Sequence, residues 1–247
     1  MAVVLHTTAG DLPVLLHYQA CPVASFNFLA LCASGYYDGC TFYRHFPGIL
    51  LQTGDPTNTG KGGESIFLKL PSLGDTADGG EGGDAVSAEA VSVAAAGIPL
   101  GRYFDDEGFG ITTCAQRGTL SMAHKGPKAN TNASQFFITT SPQPSFDGVY
   151  TAFGVVDLTG VYSASEAAVV GEAVSTHAGK APGDSIAPTE SHANVSDVSK
   201  CGDAVLSALE AASAEVDQKN FVKPASRVRI TNTTVLYNPF AEGKMKL

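Results

Sequence analysis

An arginine inside an apolar run is the first residue in this chain that could do chemistry. In GCTFYRHFPGILLQTGDPTNTGKGGES, residues 39–65, Arg44 is followed by Pro47-Gly48, a second apolar run ending in Gln52, and a long glycine-rich loop. Alternation along extended chain puts Phe42 and Arg44 on one face, and Leu50 and Gln52 on one face of the second run. If the two runs pair, a guanidinium and a carboxamide stand beside an apolar floor. That is a recognition surface with one fixed positive charge and no nucleophile. Arg44 is then either an ordinary solvated or ion-paired strand arginine, or a donor aimed at a carbonyl in a half-buried groove.

A second set of candidates lies in SQFFITT, residues 134–140. Here Gln135 and Phe137 share one face, Phe136 and Ile138 the other. Both faces carry an aromatic or branched residue, as in a barrel strand with a core side and a groove side. A plain core role for Phe137 fits less well with Gln135 beside it, because a buried amide needs partners.

Other chemistries are excluded by spacing. The loop 54–63 is not a phosphate loop: five residues separate Gly54 from Gly60, and glycine, not Ser or Thr, follows Lys61. Its glycines suit a conformationally special surface loop. The five cysteines (Cys21, Cys32, Cys40, Cys114 and Cys201) are scattered without metal-like spacing, which points to a reducing compartment. With a net charge of -9 the chain is a poor candidate for gripping nucleic acid. No apolar run is long enough to span a membrane and no signal-peptide pattern opens the chain, so a soluble protein of cytosol or nucleus is expected.

The elements that must position these residues can be read in outline. The 247 residues, only 16% charged and with 27 glycines, suggest a loop-rich β protein with ample material for a core. Strands are expected at 3–5 and 12–17 around a turn at Ala9-Gly10-Asp11, with His6 and His17 as strand surface residues. A helix opens at Cys21-Pro22 and closes at Ser34-Gly35. Further strands are expected at 118–123, 134–140, 150–156 and 227–237, and a second helix at 203–214 with Val205, Leu206 and Leu209 as its apolar stripe. The stretch at about 72–97 collapses to Gly, Ala, Ser and acidic residues and reads as a low-complexity insertion, and a second low-complexity insertion is expected at about 159–200. Within the second, SEAAVVGEAV has helical character but few groups to pack.

CPVASFNFLALCASGYYDG, FYRHFPGILLQTGDPTNTGKGGESIF, RGTLSMAHKGP, NASQFFITT and DGVYTAFG together resemble the cyclophilin family of peptidyl-prolyl isomerases. QTGDPTNTGKGGES and the terminal VLYNPFA are most like its small single-domain group called peptidyl-prolyl isomerase-like 3. The resemblance implies a mainly β fold, an eight-stranded antiparallel barrel closed by two α-helices, as one domain over 1–247. It implies that Arg44 is the catalytic residue. Ile49, Leu50, Phe137 and Phe146 would line the proline pocket, with Gln52 and Gln135 as its polar edge. Ala123 and His124 would bind substrate backbone, and Tyr150 stands where many members have histidine. There are three departures: Ile49 replaces the usual phenylalanine, His124 an asparagine, and Ser145 a tryptophan that borders the family's cyclic peptide inhibitor, cyclosporin.

The activity so implied is cis-trans isomerisation of X-Pro bonds in peptides and proteins, with no metal or cofactor. The alternative is a proline-segment binding module with weak or no turnover. The resemblance further implies an association with the pre-mRNA splicing machinery and hence the nucleus. A monomer without direct nucleic-acid or membrane contact is expected.

Overall fold

The computed structural model describes residues 1–68, 101–159, 201–238 and 240. Both expected insertions, and the SEAAVVGEAV segment, lie outside the described residues apart from Thr159. Eight strands form one curled antiparallel sheet: β1 (Ala2–Thr7), β2 (Gly10–Leu16), β3 (Arg44–Phe46), β4 (Leu50–Thr53), β5 (Thr119–Met122), β6 (Phe136–Thr139), β7 (Ala152–Val156) and β8 (Ile230–Tyr237). Their order in the sheet is β3-β4-β6-β5-β7-β2-β1-β8. The two edges approach each other just before β3. There Phe42 N–H donates to Val228 O at 2.9 Å, and Ile230 N–H to Cys40 O at 2.8 Å. These bonds satisfy backbone groups that open edges would leave exposed.

Helices α1 (Pro22–Ala33) and α2 (Gly202–Ala212) pack on the sheet. The stripe Val205, Leu206 and Leu209 is buried, as its helical spacing requires. At the first hairpin the expected turn is displaced. Thr7 pairs with Gly10, so the tip is Thr8-Ala9. Gly10 adopts φ +128°, and a Cβ there would meet Val205 Cγ2 at 2.8 Å. The glycine therefore serves helix docking as well as the turn. The last strand begins at Ile230, not 227, because Pro224–Ser226 forms a 3-10 turn first.

The core is aromatic. Phe28 of α1 meets Tyr37, Phe136 and Phe153 at ring-centroid distances of 5.5, 5.3 and 5.2 Å. Each such buried ring contributes roughly 2–3 kcal/mol through area alone. The Tyr37 hydroxyl is satisfied by donating to Ser134 O at 3.0 Å. Phe136 and Ile138 face this core, leaving Phe137 on the opposite side of β6 as alternation requires. Phe42 behaves otherwise. It is fully buried in the core and does not share the face of Arg44, because regular strand geometry begins only at Arg44. Tyr43 takes the neighbouring place, and its hydroxyl reaches Gln135 Oε1 at 2.6 Å.

Helix α1 has no side-chain cap of its own. Its free N–H groups are taken by Glu107, which accepts from Ala24 N–H at 2.6 Å and Val23 N–H at 3.3 Å. Burial outweighs these bonds and pushes the Glu107 carboxyl up to about 7. An acid whose folded pKa is raised stabilises the fold fully below its unfolded pKa, and that stability is lost as pH rises through the folded value. Lowering the pH from 8 to 6 should therefore raise Tm, through this group, by about 2–4 °C. Glu107→Gln removes the titration, so thermal melts of the pair should converge at the acid end of this window if the account holds. An identical pH slope in both proteins would contradict it.

Candidate active site

Strands β3, β4 and β6 bring the separated candidates together on one open face. Register sets Arg44 opposite Gln52, and Gln52 opposite Phe137. A cleft of about 370 Å³ lies over them, lined by Arg44, Ile49, Leu50, Gln52, Ala123, His124, Phe137, Phe146 and Tyr150. All the predicted residues except Gln135 and Ser145 border this cleft; Gln135 lines the cavity beside it. Ser145 sits exposed on the 3-10 turn Pro144–Phe146. A larger hollow of about 640 Å³ lies elsewhere, lined by His17, Ile111 and neighbours, but no Arg, Lys, Asp or Glu converges on it. The smaller cleft is chemically the better equipped.

Its floor is an aromatic triad. Phe137 packs edge-to-face against Phe146 at 5.6 Å and Tyr150 at 5.2 Å, and Phe146 meets Tyr150 at 5.3 Å. Phe137 is 3% exposed, so its ring is a fixed wall. Ile49 is 38% exposed and forms an outer lip. The shape suits a small, rigid apolar ring.

The polar edge is preorganised by bonds between amides. Gln135 Oε1 accepts from Tyr43 Oη and from Gln52 Nε2 at 3.0 Å, while its Nε2 donates to Gly62 O at 2.8 Å. Gln135 is thus spent on holding Gln52 and the glycine loop. His124 is held likewise: its Nε2 lies 2.7 Å from Asp106 Oδ1, with both side chains 4% exposed. Asp106 also accepts from Asn132 Nδ2 at 2.9 Å and Asn130 N–H at 2.8 Å. The His124 ring meets Tyr150 at 4.9 Å in a tilted contact, joining the triad to this buried pair.

Arg44 is treated differently from these amides. Its Cζ lies 4.7 Å from the Phe46 ring centroid and 5.4 Å from that of Phe221. Its Nε is buried with no hydrogen-bond partner, and among the described residues no carboxylate forms an ion pair with it. Aromatic faces can hold a guanidinium without occupying its N–H donors. Phe221 is itself placed by Asp217, whose Oδ1 accepts from Phe221 N–H at 2.9 Å and Lys219 N–H at 2.8 Å. Phe46 follows from Arg44 by alternation. Phe221, far along the chain, carries no local signal.

The glycine loop is built around Asp55, which is not among the site residues expected from sequence. Its carboxylate accepts from Thr57 N–H and Oγ1 at 2.8 and 2.7 Å, and from Thr59, Gly60 and Gly62 N–H at 3.2, 2.6 and 3.1 Å. Burial alone would raise its pKa; these bonds prevail and hold the carboxyl below the ordinary aspartate range. An aspartate two residues before a threonine is the signal that could have found it. Among the described residues no group of three or more His, Cys, Asp or Glu is placed to hold a metal, and no helix is long and apolar enough to cross a membrane.

This geometry can be set against known proteins. The family model described as cyclophilin type peptidyl-prolyl cis-trans isomerase/CLD matches residues 2–166. The chain belongs to the cyclophilin-type peptidyl-prolyl cis-trans isomerases. It is 42% identical over 156 residues to peptidyl-prolyl cis-trans isomerase-like 3 of Gallus gallus, covering 63% of this chain and 75% of that protein. The human protein of the same name is 40% identical over the same shares. A crystal structure of a cyclophilin-type isomerase from Cryptosporidium parvum, determined in the presence of the dipeptide Ala-Pro, superposes with a TM-score of 0.59 at 29% identity. That match covers 96% of this chain and 100% of the other.

Proposed function

We propose that this isomerase twists X-Pro bonds noncovalently in the Phe137 cleft, with Arg44 as its catalytic residue. The barrier to be lowered is about 18–20 kcal/mol and arises from C–N double-bond character. No bond to the protein is needed; the resonance must be weakened and the twisted amide stabilised. Phe137, Phe146 and Tyr150 would clamp the pyrrolidine ring, with Leu50 and Ile49 closing the side. Gln52, and the backbone at Ala123 and His124, would hold the flanking peptide. Arg44 then donates to the proline carbonyl or favours a pyramidal proline nitrogen, an interaction stronger in the twisted state than in either planar isomer.

The observation that carries this reading is the Arg44 Nε, buried yet unpartnered, held between aromatic rings. Leaving a buried donor unmade costs about 1–3 kcal/mol, which a bound acceptor would recover. The half-exposed Ile49 supports a second reading, a proline-segment binder with little turnover, because it contributes less area against the ring. A nuclear, splicing-associated setting and a monomeric state belong to this proposal as well.

The test is exchange spectroscopy, or a protease-coupled assay, on a panel of X-Pro peptides with the full chain. Catalysed cis-trans exchange is expected across the panel. Saturable binding without accelerated exchange would instead establish the second reading.

A further inference from the structure

Past Arg44 and Gln52 the cleft opens into a second cavity of about 430 Å³, sharing Arg44, Gln52, Ala123 and His124 with the first. Its far wall is cationic. Lys61 of the glycine loop, Arg102 and Lys125 line it around Tyr103, and no Asp or Glu is among its lining residues. Arg102 Cζ and Lys125 Nζ lie 5.4 and 5.5 Å from the Tyr103 ring centroid. Arg102 also donates from Nε to Gly63 O at 2.9 Å and from Nη2 to Lys61 O at 3.3 Å, which fixes the loop against its neighbour.

Among the described residues none of these three cations forms an ion pair with a carboxylate. Two nearby acids are already committed: Asp55 to the loop N–H groups, and Asp106 to His124, Asn130 and Asn132. In a chain of net charge -9, one wall with three cations that have no ion pair among the described residues runs against the overall balance. Charge placed this way selects by complementarity more than it stabilises the fold.

We infer that this wall takes an anionic group, a side-chain carboxylate or a phosphoryl ester, carried two or three residues from the proline being isomerised. The inference rests on the isomerase reading and names the substrates that the site favours. An extended peptide advances roughly 3.3–3.6 Å per residue, so the side chain that enters an adjoining cavity belongs to a near neighbour of the proline. The cations are exposed, so each contributes modestly and salt screens the effect. Together they should give a preference of about five- to tenfold.

The experiment compares matched Ala-Pro peptides carrying Glu, phosphoserine, Gln or Lys at the second or third position before or after the proline. The full chain and its Lys61→Glu, Lys125→Glu and double variants are assayed at low and high salt. On one side of the proline, kcat/KM for the acidic peptide should exceed that for its Gln twin by about five- to tenfold at low salt, and converge with it at high salt. In the double variant the order should invert, with the Lys peptide preferred; a damaged fold could not produce that gain. A larger effect with phosphoserine would assign the wall to phosphoryl groups, an equal one to carboxylates in general. Equal rates for Glu, Gln and Lys peptides in the wild type, or ratios unmoved in the double variant, would overturn the inference. Turnover of the neutral Gln peptide tests the isomerase reading separately. Were it absent, calorimetric affinities of the same peptides would still decide the charge preference.

Discussion

Arg44→Ala is expected to lower kcat/KM for X-Pro isomerisation by about tenfold to a hundredfold and to leave the melting temperature nearly unchanged. The loss corresponds to roughly 1.4–2.7 kcal/mol of transition-state stabilisation, the range of one charge-assisted donor. Stability should be spared because the guanidinium anchors nothing: its Nε lacks a partner and its contacts are the Phe46 and Phe221 faces. The main structural loss is stem packing against those rings. Arg44→Lys keeps the charge but not the planar fork, so it should recover only part of the rate. Peptide affinity in both variants should fall less than the rate, since ring clamping by Phe137 and Phe146 is untouched. Unchanged kcat/KM in a well-folded Arg44→Ala would falsify the assignment.

Much of this site was legible because strands impose period two. Alternation put Gln135 and Phe137 on one face and Phe136 and Ile138 on the other, and the amide of Gln135, which needs partners if buried, marked the first as the groove side. The same rule failed at Phe42. It assumes continuous strand geometry, and here the chain bends into its bonds with residues 228–230 before β3 begins. Helix α2 was legible because its stripe is local. The roles of Phe221 and Asp106 were not, since each depends on a partner brought near only by the tertiary fold. Gln135 shows the limit most clearly. Its face was read correctly, yet its amide is occupied by Tyr43, Gln52 and Gly62 and buttresses the site from behind.

Asp55→Ala should be the most destabilising single change in the site region, lowering Tm by about 8–15 °C at neutral pH. Asp55 is 0% exposed, and its removal leaves the N–H groups of Thr57, Thr59, Gly60 and Gly62 without their acceptor. Losing a buried acceptor and the network of part-buried N–H donors that it gathers typically costs about 3–5 kcal/mol in all. The damage should not stay in the loop. Asn58, within it, accepts from Thr41 N–H at 2.6 Å and from Arg227 Nη1 at 3.2 Å, tying the lead-in of β3 to the approach of β8. Gly62 O holds Gln135, and through it Gln52, so kcat/KM should fall as well. Asp55→Asn retains one acceptor oxygen but turns an NH2 toward N–H donors, and should lose about half as much. The pH dependence gives an independent check. Because the folded pKa is lowered, the stability from this carboxylate is present above its ordinary value of 3.8 and is lost as pH falls through the folded value. The gap between wild type and Asp55→Ala should therefore narrow in acid because wild-type stability is lost there, whereas the Glu107 carboxyl gains stability as pH falls. Thermal melts of both proteins from neutral pH downward measure this. A Tm within about 2 °C of wild type at neutral pH would show that the loop holds its shape without the carboxylate.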